Sequence, residues 1–389
     1  MKILHTVESY LPARHGMSEV VRQLSEGLVA LGHDVTVATS TNNKRTETAI
    51  RGVKVVSFNI SGNMVRGITG SKDNYIKFVK EGNFDIITCF AAQQWATDLL
   101  FPHLSSILAK KIFVPTGFSA LNDPTYSEYF IKMTDWLNTF DINVFLSDTY
   151  KDIQFARDNQ IRNTTIIPNG ASAQEFANLS EPYLRKKLNI PKSSLLILHV
   201  GSFTGIKGHF EAIQIFLKAR IRNATLLFIG QNQEKIIEKL GRKQRYIISP
   251  IARLLKNKII LSLELGREDT VQAFKEADIY LFPSQVECSP IVLFEAAAAG
   301  LPFLSTDVGN ATEIARWTSG GIIIPTRFKG DRGFADIEEG AKLLEKLSND
   351  KPLRLEMSAK ARHAWEQKFT WEKIVSQYEL LYQKLLTNS

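Results

Sequence analysis

The sequence predicts an α/β protein made of two similar domains, each with a parallel sheet covered on both faces. Three observations predict it. Short apolar runs alternate with segments of helical periodicity. The opening strand–loop–helix–strand pattern restarts at Leu195. And 389 residues, at roughly 100–200 per domain, suit two domains.

The elements follow in order. Ile3 to Val7 is short, apolar and partly β-branched, as a buried strand should be. A loop from Ser9 to Gly16 contains Pro12. Val20, Val21, Leu24, Leu28 and Leu31 then recur at helical spacing, and Gly32 stands where a helix-ending glycine belongs. Asp34 to Ala38 is the second strand. In the second half, Leu195 to Val200 is a strand, Gly201 to Gly208 a loop, Phe210 to Ala219 a helix and Thr225 to Gly230 a strand. Ile166 to Gly170 reads as a strand running into a turn. The polar stretch Glu181 to Lys192, with Pro182 and Pro191, is the expected linker. The domains are placed at 1–178 and 190–368, with a hinge near 175–190. Ligands in such sheets bind outside the carboxyl ends of the strands, so two facing domains would form a cleft.

Composition narrows the function. Hydrophobic residues are 44% and charged residues 23%, enough for full cores. Cys89 and Cys288 are the only cysteines and stand far apart, which argues against a disulfide scaffold and a cysteine zinc site. The net charge of +8 suits phosphates or an acidic surface but is too mild to indicate nucleic acid. The first residues do not form a secretory leader, and no apolar run reaches the ~18–20 residues of a spanning helix. A soluble or at most peripheral protein is expected. No Gly-x-Gly-x-x-Gly follows the first strand, and there is no Gly-Lys-Ser/Thr loop, so nicotinamide, flavin and P-loop chemistry are disfavoured.

The strongest constellation runs from Pro283 to Gly300. Asp278 to Phe282 reads as a strand before it. Ser289 is expected as the N-cap and Pro290 as the first helical residue. The amides of Ile291 and Val292 would then be free donors for an anion or a sugar hydroxyl. Glu287 falls in the loop and Glu295 on the helix. An ordinary connection with one exposed and one half-buried Glu would look the same. Yet Glu295 lies among Leu293, Phe294 and Ala296 to Ala299, and a carboxylate there needs a hydrogen-bonding or charged partner.

Glu-x7-Glu between Pro283-Ser284 and an alanine run ending in Gly300 resembles the signature of retaining glycosyltransferases of family 4, with the GT-B fold. The resemblance extends to the loop with Gly16, the Leu31 to Val35 turn and Ile167-Pro168-Asn169-Gly170. It also takes in Val200-Gly201 to Lys207-Gly208, Ala277-Asp278 and Phe369-Thr370-Trp371. It implies two Rossmann-like parallel-sheet domains facing across a cleft. The N-terminal one would bind the acceptor and the C-terminal one the nucleotide sugar, with a C-terminal helix, about 370–389, returning to the first domain. By that resemblance Glu287 contacts the donor sugar, Glu295 the ribose, and Lys207 the diphosphate. Charge grows on the β-phosphate as it leaves, which gives Lys207 a catalytic purpose. Gly201, Ser202, Gly16, Ser289, Ile291, Val292 and Leu265 complete the expected donor site. No cofactor or metal is implied. The partners implied are a nucleotide-sugar donor and a sugar or lipid-linked sugar acceptor in cell-surface polysaccharide or lipopolysaccharide synthesis, in the cytoplasm or peripheral on the inner membrane.

The sequence departs from the family at three places. Ser202 stands where Arg usually follows the glycine, Thr116 or Gly117 where a His is frequent, and Ser172 where an Asp is frequent. Lys207, the helix starting near Gly208 and the hydroxyls of Ser202 and Thr204 could make up part of the loss of the Arg. Two rivals stay open: a nucleotide-sugar epimerase, and a binding or scaffold subunit without turnover, which Ser202 and the missing His motivate. His15, Thr116 and Gln93 are acceptor-side candidates, with Gln94 and Trp95 near them. Their plainer readings are loop and turn residues. His5 is read as a buried, hydrogen-bonded histidine and His33 as a turn residue. Asn310 to Glu313 reads as a capping box. Arg242, Lys243, Arg245, Arg253, Lys256 and Lys258 form a basic stretch, read as a solvated face in preference to a membrane-docking one.

Overall fold

The computed structural model describes residues 1–13, 15–177, 181–231 and 257–387. Two compact units divide the chain: Met1–Asn169 with Trp371–Ser389, and Gly170–Thr370.

The first unit is built on an eight-stranded sheet. Edge to edge its strands are Thr164–Ile166, Ile142–Phe145, Lys110–Val114, Ile86–Phe90, Lys2–Thr6, Asp34–Ser40, Val53–Phe58 and Ala49–Ile50. All pairs are parallel except the last, where Ala49–Ile50 runs against Val53–Phe58. Every side chain of Ile86–Phe90 is buried, as expected of a strand covered on both faces. The helix Gly16–Ala30 buries Val20, Val21, Leu24 and Leu28. It ends at Leu31, and Gly32 follows at φ +87°, a left-handed conformation that glycine adopts without strain.

The final helix, Trp371–Thr387, belongs to this unit. Its Tyr382 hydroxyl hydrogen-bonds Thr88 Oγ1 at 2.7 Å and lies 3.4 Å from His5 Nε2. The other nitrogen of His5 bonds Ser25 Oγ at 2.8 Å. Burial pushes the His5 pKa down to about 3, so it is a neutral core residue. His33 does more than turn the chain, since its Nε2 meets Glu379 of the final helix at 2.9 Å.

The second unit has a six-stranded parallel sheet: Lys258–Leu263, Ala224–Ile229, Leu195–Val200, Ile279–Phe282, Phe303–Thr306 and Gly321–Ile324. The stretch Glu181 to Lys192 is docked in this unit and is not a free linker. The Tyr183 and Leu184 amides donate to Glu276 Oε1 at 2.8 and 2.7 Å, and the Arg185 amide to Oε2 at 2.9 Å. Arg185 also pairs with Asp278 at 2.7 Å. The short helix Leu184–Lys187 thus takes its N-terminal carboxylate from a residue 92 positions away, which local composition cannot reveal.

Both sheets reverse strand order beside their first strand. The reversal lies between Lys2–Thr6 and Ile86–Phe90 in one, and between Leu195–Val200 and Ile279–Phe282 in the other. The crevice outside these carboxyl ends is where such sheets bind ligands. Of the basic stretch, Arg242, Lys243, Arg245, Arg253 and Lys256 lie outside the described residues. Lys258 is buried, and its ammonium donates to the carbonyls of Phe216, Leu217 and Ala219 at the end of helix His209–Lys218. It is therefore a structural cation and no part of a docking face. Among the described residues no helix is long and apolar enough to cross a membrane.

Candidate active site

In the second unit the loops after Leu195–Val200 and Ile279–Phe282 are joined across the switch point. The Gln285 amide donates to Ile206 O at 2.8 Å, and Ser284 Oγ to the same carbonyl at 3.3 Å. Gln285 Nε2 donates to Glu211 Oε1 at 2.6 Å. Gly208 sits at φ +70°, and a Cβ there would lie 1.8 Å from Pro283 O. Only glycine permits that approach. Phe203, buried, stacks on His209 at 4.1 Å and anchors the middle of the Gly201–Gly208 loop. Beneath it His209 lies 4.5 Å from His199. Burial lowers the pKa of both, that of His209 to about 4.

This joint brings Lys207 and Glu287 together. Lys207 Nζ lies 2.6 Å from Glu287 Oε1, and Ser284 Oγ donates to the same oxygen at 2.7 Å. Gly201 and Ser202 begin the loop, with Gly201 beside the Lys207 stem.

Glu295 is buried, as its apolar neighbours predict, and it has the partner that burial demands. Arg267 NH2 stands 2.6 Å from Glu295 Oε1 and 2.5 Å from Glu175 Oε2. Burial alone would lower the guanidinium's pKa. The Glu295 and Glu175 carboxylates outweigh it and hold the group above its ordinary range. Arg267 opens the helix Arg267–Glu276, directly after Leu265 and Gly266. A Cβ at Gly266 would meet nothing within 4 Å, so the backbone there is open to a ligand. Sequence reasoning misses Arg267, although the need of Glu295 for a cation is the signal that could have found it.

The helix after Glu287 is Ile291–Ala298, and its N-cap is Pro290, not Ser289. Pro290 has extended φ and ψ and its carbonyl accepts from Leu293 N at 3.1 Å, so the helix begins one residue later than the hydroxyl suggests. Ile291 and Val292 become its first two residues, whose N–H groups have no intrahelical acceptor. Asn310 occupies an N-cap but its side chain makes no cap hydrogen bond, so the capping box does not form. Its amide donates to Cys288 O at 2.9 Å and steadies the Glu287 loop instead.

In the first unit the acceptor-side candidates line the carboxyl edge. Gln93 adopts φ +62°, and Ala91 and Thr116 are left-handed too, at +64° and +58°. Such strain in residues other than glycine persists only where the surroundings enforce it. Gln93 N donates to Tyr129 OH at 2.9 Å, and its Oε1 accepts from Ser119 Oγ at 2.8 Å. Tyr129 OH donates in turn to Asp98 Oδ1 at 2.7 Å, and Met64 N to Asp98 Oδ2 at 2.8 Å. Burial raises the Asp98 pKa to about 6. Gly117 N donates to Asp152 Oδ2 at 2.8 Å, and burial raises Asp152 likewise to about 6. His15 is the N-cap of Gly16–Ala30, in a reciprocal pair with Ser18. A Cβ at Gly16 would meet nothing within 4 Å, so no protein contact requires glycine there. Among the described residues no group of three or more His, Cys, Asp or Glu is placed to hold a metal ion.

Residues 14–175 match glycosyltransferase family 4, and residues 180–364 match the glycosyl transferases group 1. The chain belongs to the family 4 glycosyltransferases of the GT-B fold. It is 31% identical over 208 residues to the N-acetyl-alpha-D-glucosaminyl L-malate synthase of Bacillus anthracis, covering 52% of this chain and 49% of that protein. It is 31% identical over 212 residues to the lipopolysaccharide glucosyltransferase WaaG of Escherichia coli, covering 52% of this chain and 50% of that one. The match thus spans about half the length of these curated relatives. The crystal structure of Anabaena HepE in complex with UDP and glucose superposes with a TM-score of 0.74 at 16% identity, over 99% of this chain and 100% of that one. For this family 4 chain, that likeness is one of fold.

Proposed function

We propose that the protein is a retaining glycosyltransferase that moves a sugar from a nucleoside-diphosphate donor to an acceptor hydroxyl in cell-surface polysaccharide or lipopolysaccharide synthesis. The observation that carries the reading is the pairing of Lys207 with Glu287 at the switch point of the second sheet. A cation and a carboxylate meet where a diphosphate and its sugar would lie.

When the donor binds, Lys207 turns to the diphosphate and Glu287 takes sugar hydroxyls in its place. Glu295, held by Arg267, receives the ribose hydroxyls. The bond from the anomeric carbon to the diphosphate oxygen breaks, and the bond to the acceptor oxygen forms on the same face. The acceptor proton passes to the departing phosphate oxygen, and the free nucleoside diphosphate carries it away. Lys207 stabilises the charge that grows on that phosphate. The N-terminal unit takes the acceptor. The similarity to a relative named as a glucosyltransferase, WaaG, supports the transferase over the epimerase. Uridine is the first base to try, because HepE binds UDP. The expected location is the cytoplasm, with at most peripheral contact with the inner membrane, and the reaction needs no cofactor.

A thermal-shift panel with UDP, GDP, ADP, TDP and their sugar derivatives, without metal, tests the reading. Ligand at a hundred times its dissociation constant adds about 2.7 kcal/mol. A shift with one base names the donor class. No shift with any nucleotide would mean that Ser202 in place of Arg has cost the chain its donor site, and would favour a binding or scaffold subunit.

A further inference from the structure

We propose that Glu8 binds the acceptor, its carboxylate taking hydrogen bonds from uncharged sugar hydroxyls at the carboxyl edge of the first sheet. The inference rests on the transferase reading above and assigns a residue to the half of the reaction that Lys207, Glu287 and Glu295 do not serve.

Four observations lead to it. Glu8 lies two residues beyond Thr6, the last residue of the first strand. Thr6 pairs with Cys89 of Ile86–Phe90, the strand beside which the sheet order reverses. Glu8 therefore stands at the mouth of the switch-point crevice.

Its backbone is fixed. The Glu8 amide donates to Gln94 Oε1 at 3.2 Å, and its carbonyl accepts from Ser40 N and Thr39 Oγ1, both at 3.1 Å. A residue held this firmly on both sides aims its side chain reproducibly.

Its carboxylate is half-buried, yet among the described residues no hydrogen bond or ion pair engages it. Partial burial alone raises its pKa. A desolvated carboxylate without a partner is costly unless a ligand supplies the donors. The contrast with Glu26 of the same unit is informative, since that carboxylate is bridged to Arg22 and Arg51.

The loops beside it are strained. Ala91 and Gln93, both left-handed, follow the adjacent strand Ile86–Phe90, and Thr116, left-handed too, follows Lys110–Val114 on the far side of it. Strain of this kind gathers where a loop must hold a shape for a ligand.

A carboxylate accepts from hydroxyls and repels anions. Glu8 therefore selects neutral sugars over phosphorylated ones. The test uses the full chain loaded with UDP, or with whichever nucleotide gives the thermal shift. Binding of methyl glucoside, methyl galactoside, methyl mannoside and glucose 6-phosphate is followed by saturation-transfer NMR. Wild type should bind at least one methyl glycoside and prefer it to glucose 6-phosphate. Glu8→Gln should weaken that glycoside roughly 10- to 100-fold, the loss of a hydrogen bond to a charged group, and erase the discrimination against the phosphate. Glu8→Asp should recover part of the affinity. The nucleotide thermal shift should be the same in all three proteins. Equal glycoside affinity in wild type, Glu8→Gln and Glu8→Ala would overturn the assignment, as would a wild type that binds none of the glycosides. Loss of the nucleotide shift in wild type would instead overturn the transferase reading itself.

Discussion

The two sheet edges hold their candidate site residues by different means. In the second unit, charge answers charge: Lys207 meets Glu287, and Arg267 meets Glu295 and Glu175. In the first unit the shape is kept by backbone. Left-handed Ala91, Gln93 and Thr116 are pinned through Tyr129, Asp98 and Asp152, and Glu8 is left without a partner among the described residues. An edge built of ion pairs suits a ligand that carries its own charges. It can exchange protein partners for phosphates without exposing a bare charge in either state. An edge built of strained turns suits a neutral ligand read through its hydroxyls.

The comparison breaks most severely at Gly208. A methyl group there would meet Pro283 O, and the left-handed conformation alone costs an L-residue roughly 1–2 kcal/mol. Gly208→Ala should lower the melting temperature by several degrees and abolish the nucleotide thermal shift. Gly266→Ala is the matched control, with φ −67° and open space around the new carbon. It should melt with wild type yet bind nucleotide more weakly, because only a bound ligand would meet the added methyl. A Gly208→Ala protein that retains wild-type nucleotide affinity would show that the Lys207 loop does not depend on its seat against Pro283.

Removing single charges should have the next largest effect. Lys207→Ala should lower turnover about 100- to 1000-fold, the usual loss for one preorganised donor at a developing oxyanion. Glu287→Ala should lower turnover while nucleotide affinity stays. Glu295→Ala should do the reverse and weaken nucleotide binding first. Calorimetric titration with the nucleoside diphosphate, set beside transfer kinetics, separates the two carboxylates. Equal nucleotide affinity in wild type and Glu295→Ala would sink the ribose assignment.

Acid should distinguish the units by a smaller margin. In the second unit, His199 and His209 are held neutral by burial, His209 down to about 4. Unfolding lets them bind protons, so their contribution is present above pH 6.5 and is lost as pH falls towards 4. In the first unit, Asp98 and Asp152 are raised from 3.8 to about 6. The folded form there keeps protons that the unfolded form gives up. Their contribution is full below 3.8 and is lost as pH rises through about 6. His5, lowered to about 3, opposes them in part. Between pH 6.5 and 4 the second unit should therefore lose protection in hydrogen exchange before the first. Asp98→Asn should flatten the first unit's pH dependence. Simultaneous loss in both units would refute the difference.

Much of the scaffold is legible because it is local. The strand Leu195–Val200 and the stop at Gly300 follow from apolar runs and a left-handed glycine that neighbours in sequence declare. Glu287 and Glu295 are legible as a spaced pair. Long-range partners are not. Arg267 lies 28 residues from Glu295 in sequence and Glu175 lies on the far side, and nothing in the spacing joins the three. Glu276 beneath Leu184 is hidden for the same reason, and so a docked segment reads as a linker. Ser289 misleads differently. A serine before a proline satisfies every local rule for an N-cap, but the chain reaches helical geometry only after Pro290.

The smallest effect, and the sharpest test of the first edge, sets His15 against Glu8. Both lie between the first strand and the first helix, and either could face an acceptor. His15 already has employment inside the protein: its amide donates to Ser18 Oγ at 3.0 Å, and its Nδ1 accepts from Ser18 N at a long 3.5 Å. Burial lowers the pKa of the ring. Asparagine is a preferred N-cap and can make the same bond. His15→Asn should therefore leave stability within about 0.5 kcal/mol of wild type. Its acceptor KM should stay unchanged while that of Glu8→Gln rises. A selective rise in acceptor KM for His15→Asn, at unchanged melting temperature, would show that the imidazole reads the acceptor as well as capping the helix. The backbone-held edge would then carry two polar readers in place of one.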